Sequence, residues 1–183
     1  VEFSPKGDTL IANVGNELWL FDANNPPKKI SSNIQAIREP SWSHDGKFIN
    51  YISVSSGRWK LYRINVDTLA SEFVQDGVDF YRESPDGMYV VYRESVGEDY
   101  KIKYKNSDVV DLLNIDEGDY IHPNFVLRSQ HVYFSKRIDA NNIKVMAFSL
   151  KDKSLHDTGL FTTHDLKRIS VSMDEKYIYM PSG

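Results

Sequence analysis

A short turn that recurs about every forty residues constrains the fold of this chain more than any other sequence feature. It reads Ser-Pro-Lys-Gly from Ser4, Ser-His-Asp-Gly from Ser43 and Ser-Pro-Asp-Gly from Ser84, and two divergent copies begin at Val126 and Ser172. Successive copies start 39, 41, 42 and 46 residues apart. Because proline presets φ and glycine accepts a positive φ, such a turn is suited to joining two antiparallel strands. The spacing predicts a repeat protein whose units each contain several short strands.

Two columns of apolar residues follow the turn in every copy. Six residues after the first turn position, the five copies have Leu10, Ile49, Val90, Val132 and Ile178. Eight residues after it, they have Ala12, Tyr51, Tyr92, Phe134 and Met180. A separation of two residues is the period of a strand that buries one face. The residue before the turn is apolar in four copies and is Glu83 in the third.

Each copy continues with further strand-like runs. The third runs are 17–21, 58–64, 99–104 and 143–148, and weaker fourth runs include 72–74 and 109–112. Four locally connected strands per unit predict an all-β β-propeller, with about four complete four-stranded blades and part of a fifth. We predict a single propeller segment over 1–183, with blades at about 1–34, 35–76, 77–117, 118–160 and, in part, 161–183. A stack of antiparallel sheets that does not form a propeller is the alternative.

Composition excludes several classes of function. A net charge of −4 gives no basic surface for nucleic acid, and no apolar run is long enough to span a membrane. The absence of cysteine excludes disulfides, thiolate catalysis and cysteine-ligated metals. Neither end of the sequence looks like a natural terminus, because strand patterns run up to both ends and no signal peptide opens the chain. We therefore expect a fragment of a larger propeller protein.

One stretch of the sequence resembles a known repeat family. Residues 40–49, Pro-Ser-Trp-Ser-His-Asp-Gly-Lys-Phe-Ile, followed by Leu-Tyr-Arg-Ile at 61–64, resemble the TolB-type propeller repeat. Residues 81–92 and 1–12 match the same form, so the resemblance covers essentially the whole chain. The sequence departs from the TolB-type pattern in two ways. Copies four and five lack Pro-Asp-Gly, and the acidic Glu83 stands in an otherwise apolar column.

The resemblance implies a fold and leaves three functions open. Similar propellers occur in the extracytoplasmic halves of membrane-anchored winged-helix transcriptional regulators of the ToxR and CadC type. That likeness favours a non-catalytic sensing or protein-interaction domain in the periplasm, with DNA bound only through a missing N-terminal domain. The alternatives are the substrate-gating propeller of a prolyl oligopeptidase-like serine peptidase and a TolB-like envelope scaffold.

The motifs of catalysis and metal binding are missing from the sequence. No Gly-x-Ser-x-Gly nucleophile elbow occurs, and no two histidines have the spacing of a zinc protease. The acidic run 116–119 is too short for a calcium loop. We therefore expect no enzyme activity, no cofactor and no metal. His122 and His164 lie in loops before first strands, where they form a hypothetical pH-sensitive pair.

The strongest candidate site is a set of polar residues where the chain enters the first strand of each blade. In propellers these strands line the central channel, so the set would form a rim of mixed charge. Its members are Arg38, Glu39, Asp79, Arg82, Glu83, His122, Asn124 and Arg168. We expect a protein or a small polar ligand to bind there, and an arginine, Arg82 or Arg38, to pair with Glu83. The strand-like ends at 1–3 and 177–180 also predict a homodimer formed through edge strands.

Overall fold

The computed structural model describes residues 1–31, 36–96, 99–106, 109–112, 125–139, 142–162 and 169–180. Over these residues the chain consists of antiparallel strands and turns, without helix. Accordingly, the described part contains no helix of the length and apolarity needed to cross a membrane.

Four of the five sheets are four-stranded meanders in which each strand pairs with the next one in the chain. Sheet one contains β1 (Glu2–Phe3), β2 (Thr9–Val14), β3 (Glu17–Asp22) and β4 (Lys28–Lys29). Sheet two contains β5 (Ile37–Trp42), β6 (Phe48–Ser55), β7 (Arg58–Asn65) and β8 (Ser71–Asp76). Sheet three contains β9 (Val78–Glu83), β10 (Tyr89–Val96), β11 (Asp99–Asn106) and β12 (Val109–Leu112).

The remaining sheets lie in the second of two compact units, 1–113 and 114–183. Sheet four contains β13 (Val126–Leu127), β14 (His131–Arg137), β15 (Ile143–Ser149) and β16 (Leu155–Thr162). Sheet five pairs β17 (Ser170–Val171) with β18 (Ile178–Tyr179). The third and fourth strands expected from the sequence are therefore present, each within two residues of the predicted bounds.

The recurring turn is held by a compact set of hydrogen bonds around its serine. In the second copy the Gly46 N–H donates to the Ser43 carbonyl over 3.0 Å. The Ser43 hydroxyl donates to Asp45 over 2.7 Å and accepts the Phe48 N–H over 2.9 Å. The bond from the backbone N–H of Lys47, aided by that hydroxyl, lowers the pKa of Asp45. These local bonds explain why serine, aspartate and glycine recur in the motif.

Consecutive turns of the first unit contact each other. A Cβ placed on Gly46 would lie 3.7 Å from the Cδ of Pro5, which is ordinary packing. A Cβ placed on Gly87 would lie only 2.5 Å from the Cδ2 of His44, so any side chain there would require the His44 ring to move. The second residue of one turn therefore lies against the fourth residue of the next turn.

The core of the first unit forms two layers between neighbouring sheets. Sheets one and two enclose Ile11, Leu18, Leu20, Ile30, Ile37, Trp42, Ile49, Tyr51 and Ile64. Sheets two and three enclose Ile52, Leu61, Val78 and Tyr92. Each fully buried aliphatic side chain contributes about 2 kcal/mol to folding. The Trp42 indole N–H also donates to the Glu2 carbonyl over 3.2 Å, which joins sheet two to sheet one.

The core of the second unit repeats this arrangement between sheets four and five. It contains Tyr133, Ile143, Val145, Ala147, Ile169 and Val171. The Arg128 guanidinium adds a polar link, since its Nε donates to the Val171 carbonyl over 3.0 Å.

The fourth copy of the turn differs from the sequence alignment. Leu127, and not Phe125, pairs with Val132, and the Arg128 N–H donates to the His131 carbonyl over 2.9 Å. The turn therefore begins two residues later than predicted and is two residues shorter than the others. A copy without proline or glycine has no residue that favours the longer turn, and a tight hairpin replaces it. The apolar columns are still aligned as predicted, because Val132 and Phe134 are fully buried.

Candidate functional site

The first strands of sheets two and three lie side by side and carry five of the eight predicted rim residues. The Ser41 hydroxyl on β5 donates to the Tyr81 carbonyl on β9 over 3.5 Å. Arg38 and Glu39 lie on β5, and the other residues lie on β9. The remaining predicted residues, His122, Asn124 and Arg168, lie outside the described residues, as does the proposed partner His164.

Glu39 and Arg82 form an ion pair that links the two first strands. Nη2 of Arg82 lies 2.8 Å from Oε2 of Glu39, and both side chains are about three-quarters buried, with exposures of 22 % and 25 %. Nη1 of Arg82 donates to the Tyr81 carbonyl over 2.7 Å and to the Glu39 carbonyl over 3.3 Å. The guanidinium carbon lies 5.0 Å from the centre of the Phe80 ring. These contacts hold Arg82 in one orientation with part of its surface open to solvent.

The backbone at Glu39 is in a strained, left-handed conformation. Its φ is +49°, and the pairing of β5 with β6 is irregular between Arg38 and Ser41. Pro40 contributes to this irregularity, because it has no N–H to donate to the neighbouring strand. A left-handed residue other than glycine costs about 1–3 kcal/mol, and such residues are concentrated at functional sites. Glu39, which forms the ion pair with Arg82, lies within this irregular stretch.

Arg38 and Asp79 each have a partner elsewhere. The guanidinium carbon of Arg38 lies 4.8 Å from the centre of the Trp59 ring. Asp79 binds Arg93 through two hydrogen bonds of 2.7 and 2.6 Å, with both side chains about nine-tenths buried. The Asp79–Arg93 pair is a charge-assisted bidentate contact within sheet three. These two residues therefore do not join the Glu39–Arg82 pair in one cluster.

Glu83 has a different set of partners from the one predicted. The expected arginine neighbour is wrong: Oε2 of Glu83 accepts the backbone N–H of His44 over 3.0 Å and lies 2.9 Å from its Nδ1. Oε1 accepts hydrogen bonds from Asn50 over 3.0 Å and from the Tyr81 hydroxyl over 3.3 Å. Burial, strengthened by the Glu83 charge, raises the pKa of Tyr81. Donors from sheet two and from Tyr81 satisfy the carboxylate without an arginine.

The second unit contains a cluster of the same composition. Glu175 accepts the Gln130 N–H over 2.9 Å and the Tyr133 hydroxyl over 3.0 Å, and it lies 2.7 Å from Nδ1 of His131. Glu175 occupies the fourth turn position with a φ of +58°, where the first three copies have glycine. Neither cluster was predicted from the sequence. The available signal was His44 in place of a turn proline and Glu175 in place of a turn glycine.

Most polar side chains of the first strands and turns described above are bound to other protein groups. Among the residues that the structure describes, no three histidine, aspartate or glutamate side chains form a group that could hold a metal ion. Turn serines are engaged locally, as at Ser84, whose hydroxyl donates to Asp86 over 2.6 Å. The Glu39–Arg82 pair leaves about a quarter of each side chain exposed on the first strands.

Comparison with known proteins reveals similarity in structure only. No protein-family model and no curated protein matches the sequence. The fold is similar to TolB from Acinetobacter baumannii, with a TM-score of 0.69, 19% sequence identity and 90% of this chain covered. It is also similar to a putative TolB from Agrobacterium tumefaciens, with a TM-score of 0.72 and 16% identity over 99% of this chain and 73% of that one.

A third similar structure is a tricorn protease, with a TM-score of 0.67 and 12% identity over 97% of this chain and 23% of that one. The present chain spans 42% of the Acinetobacter protein. At these identities the comparisons establish the fold alone. The all-β sheets and these neighbours together show that the chain has the fold of part of a TolB-like β-propeller.

Proposed function

We propose that this chain is a non-catalytic propeller domain that binds a protein or a small polar ligand at the Glu39–Arg82 pair. The strained backbone at Glu39 carries the proposal, because it keeps a carboxylate directed at Arg82 at a cost in stability. A simpler ion pair would need no left-handed residue. The partial exposure of both charges leaves them accessible to a polar partner.

The proposed context is the signal-receiving, extracytoplasmic part of a membrane-anchored regulator of the ToxR and CadC type. The TolB-like fold and the mild net charge of −4 support this role, since such a domain receives a signal without contacting DNA itself. Nucleic acid would then be bound by a winged helix elsewhere in the full-length protein.

Charge exchange in the full-length protein tests the binding role. Arg82→Glu places two carboxylates together, and we expect it to abolish signal-dependent transcription of the regulated gene. The exchange Glu39→Arg with Arg82→Glu restores the ion pair and the thermal stability, while the reversed charges no longer match the partner. Loss of the response in both variants supports a binding surface. Full recovery of signal-dependent transcription in the double variant would show that the Glu39–Arg82 pair has only a structural role.

Two further measurements separate this function from the peptidase gate and the envelope scaffold. The coding sequence on either side of this segment reveals a winged helix and one apolar span if the regulator proposal holds. A hydrolase domain with Gly-x-Ser-x-Gly, and cleavage of small chromogenic peptides by the full-length protein, would overturn it in favour of the gate. Wild-type transcription in a strain lacking the protein would exclude the regulator and leave the scaffold.

A further inference from the structure

A cleft between sheets two and three is lined by neither Glu39 nor Arg82, although Tyr81, whose carbonyl accepts a hydrogen bond from Arg82, belongs to its wall. It has a volume of about 410 Å³, which is within the range of small-molecule sites. Sheet two contributes Leu61, Val74 and Gln75 to its lining, and sheet three contributes residues from all four of its strands, β9 to β12. The cleft therefore belongs entirely to the first unit.

The walls of the cleft are mainly apolar and remain partly exposed. Val74 and Val110 on the two outer strands are 41% and 46% exposed, and Met88 in the turn before β10 is 53% exposed. Leu61 and Val90 continue the apolar lining from neighbouring strands. An apolar ligand of modest size would cover these side chains and remove their surface from water.

Two polar groups in the cleft have no hydrogen-bond or ion-pair partner among the described residues. Tyr92 is 7% exposed and lines the cleft, yet none of the hydrogen bonds in the described part involves its hydroxyl. Burial raises the pKa of Tyr92, so this hydroxyl remains a neutral donor. Lys105 also lines the cleft, and no carboxylate among the described residues lies within ion-pair distance of its ammonium.

The strand register brings these two groups to one face. Tyr92 pairs with Lys103, and Lys105 is two residues further along β11, which makes it a diagonal neighbour on the same face. Lys103 is already engaged, because its ammonium donates to Glu94 and that contact raises the pKa of Lys103. Gln75 also donates to Glu94, over 3.0 Å. Lys105 is thus the lining cation that a ligand can use.

We propose that this cleft binds a small monocarboxylic acid with an apolar, aromatic or branched body. Lys105 and the Tyr92 hydroxyl hold the carboxylate, and the apolar walls hold the body of the ligand. The opposite charges of ligand and lysine favour an acid over a neutral molecule of the same shape. Neither Glu39 nor Arg82 lines this cleft. An experiment can therefore disprove binding at one of the two sites without disproving binding at the other.

Titration of the whole chain with 4-phenylbutyrate, followed by calorimetry or by ligand-observed NMR, tests the proposal. We expect a dissociation constant of about 1 mM, and about tenfold weaker binding of the neutral amide 4-phenylbutanamide. Lys105→Met should weaken the acid about tenfold and remove its preference over the amide. Tyr92→Phe should weaken the acid about threefold without lowering the thermal midpoint, because the hydroxyl makes no hydrogen bond among the described residues that the substitution would remove.

Lys28→Met is the matched control, since Lys28 is an exposed lysine on β4 outside the cleft. It should leave the affinity for the acid unchanged. Equal affinities for acid and amide, or an unchanged affinity in Lys105→Met, would overturn the assignment of the carboxylate site. Failure of the acid to saturate the wild-type protein would overturn the site itself.

Discussion

At the scale of single residues, glycine at the fourth turn position serves two different needs. Gly7 and Gly87 have nearly the same backbone angle, with φ of +77° and +72°. Gly7 has open space where a side chain would stand, whereas the corresponding space at Gly87 is filled by the His44 ring. The first glycine is needed only for its backbone conformation, and the second is needed also for its lack of a side chain.

Substitution by alanine should separate these two needs. We expect Gly7→Ala to lower the free energy of unfolding by about 1 kcal/mol, which is the cost of the left-handed backbone. Gly87→Ala should lower it by about 3 kcal/mol, because the His44 ring must also move. Urea unfolding measures the free energy of unfolding of the two variants. Adding His44→Ala to Gly87→Ala should recover most of the extra loss at Gly87. Equal losses at the two glycines would contradict the contact.

Tyr133 predicts a specific alkaline dependence of stability. Burial, aided by the hydrogen bond to Glu175, raises the pKa of Tyr133 to about 12. A phenol is neutral when protonated, so its contribution to stability is complete below the unfolded pKa of about 10 and is lost as the pH rises through about 12. Tyr133→Phe should flatten the decline in unfolding free energy over that window. Tyr179→Phe, at an exposed position, should not change it.

At the scale of the elements, the serine that opens four of the five turns links the two strands on either side of it. The Ser84 hydroxyl donates to Asp86 and accepts the Tyr89 N–H over 2.9 Å, and Ser84 is completely buried. Ser172 makes the equivalent bonds to Asp174 and Tyr177, at 2.6 and 3.0 Å, in a more exposed turn.

Alanine at these two serines should therefore differ in its effect. Ser84→Ala leaves a backbone N–H unsatisfied in a dry position, and we expect a loss of about 2 kcal/mol of unfolding free energy. At Ser172 water replaces the hydroxyl, and the expected loss is about 0.5 kcal/mol. Chemical denaturation with intrinsic fluorescence measures both. A larger loss of unfolding free energy in Ser172→Ala than in Ser84→Ala would show that burial does not determine how much the serine stabilises its turn.

The strands were predictable from the sequence because local patterning determines them. Alternating apolar residues and the Ser-x-x-Gly turns gave runs such as 58–64, which the structure extends by one residue to Arg58–Asn65. The partners of Glu83 were not predictable, because they depend on how the turn of sheet two lies against sheet three. The irregular backbone at Glu39 was also hidden, since an Arg-Glu-Pro sequence fits a regular edge strand equally well.

At the scale of the whole molecule, exposed apolar residues at strand edges predict self-association. Phe3 on β1 is 64% exposed, and Tyr179 on β18 is 60% exposed. Within their own sheets each of these strands pairs on one side only. We expect light scattering to detect a concentration-dependent homodimer, because unpaired strand edges are templates for another chain.

Lysine substitution tests this association at the edges. Phe3→Lys and Tyr179→Lys should each shift the protein towards monomer, since an edge lysine opposes pairing with another chain. Val14→Lys, at an exposed position of the inner strand β2, should leave the association unchanged. A monomer at all concentrations in the wild type would contradict the prediction.

The contact of one turn with the next also restricts how the repeats can diverge. A bulky residue at the second position of one turn, such as His44, favours glycine at the fourth position of the following turn. A mutation at the second position of one turn is therefore accepted only with a compatible residue at the fourth position of the next turn. A blade that is duplicated or transplanted alone carries one residue of each such pair and leaves the other behind. Related sequences should therefore show covariation between these two positions in adjacent repeats, about forty residues apart.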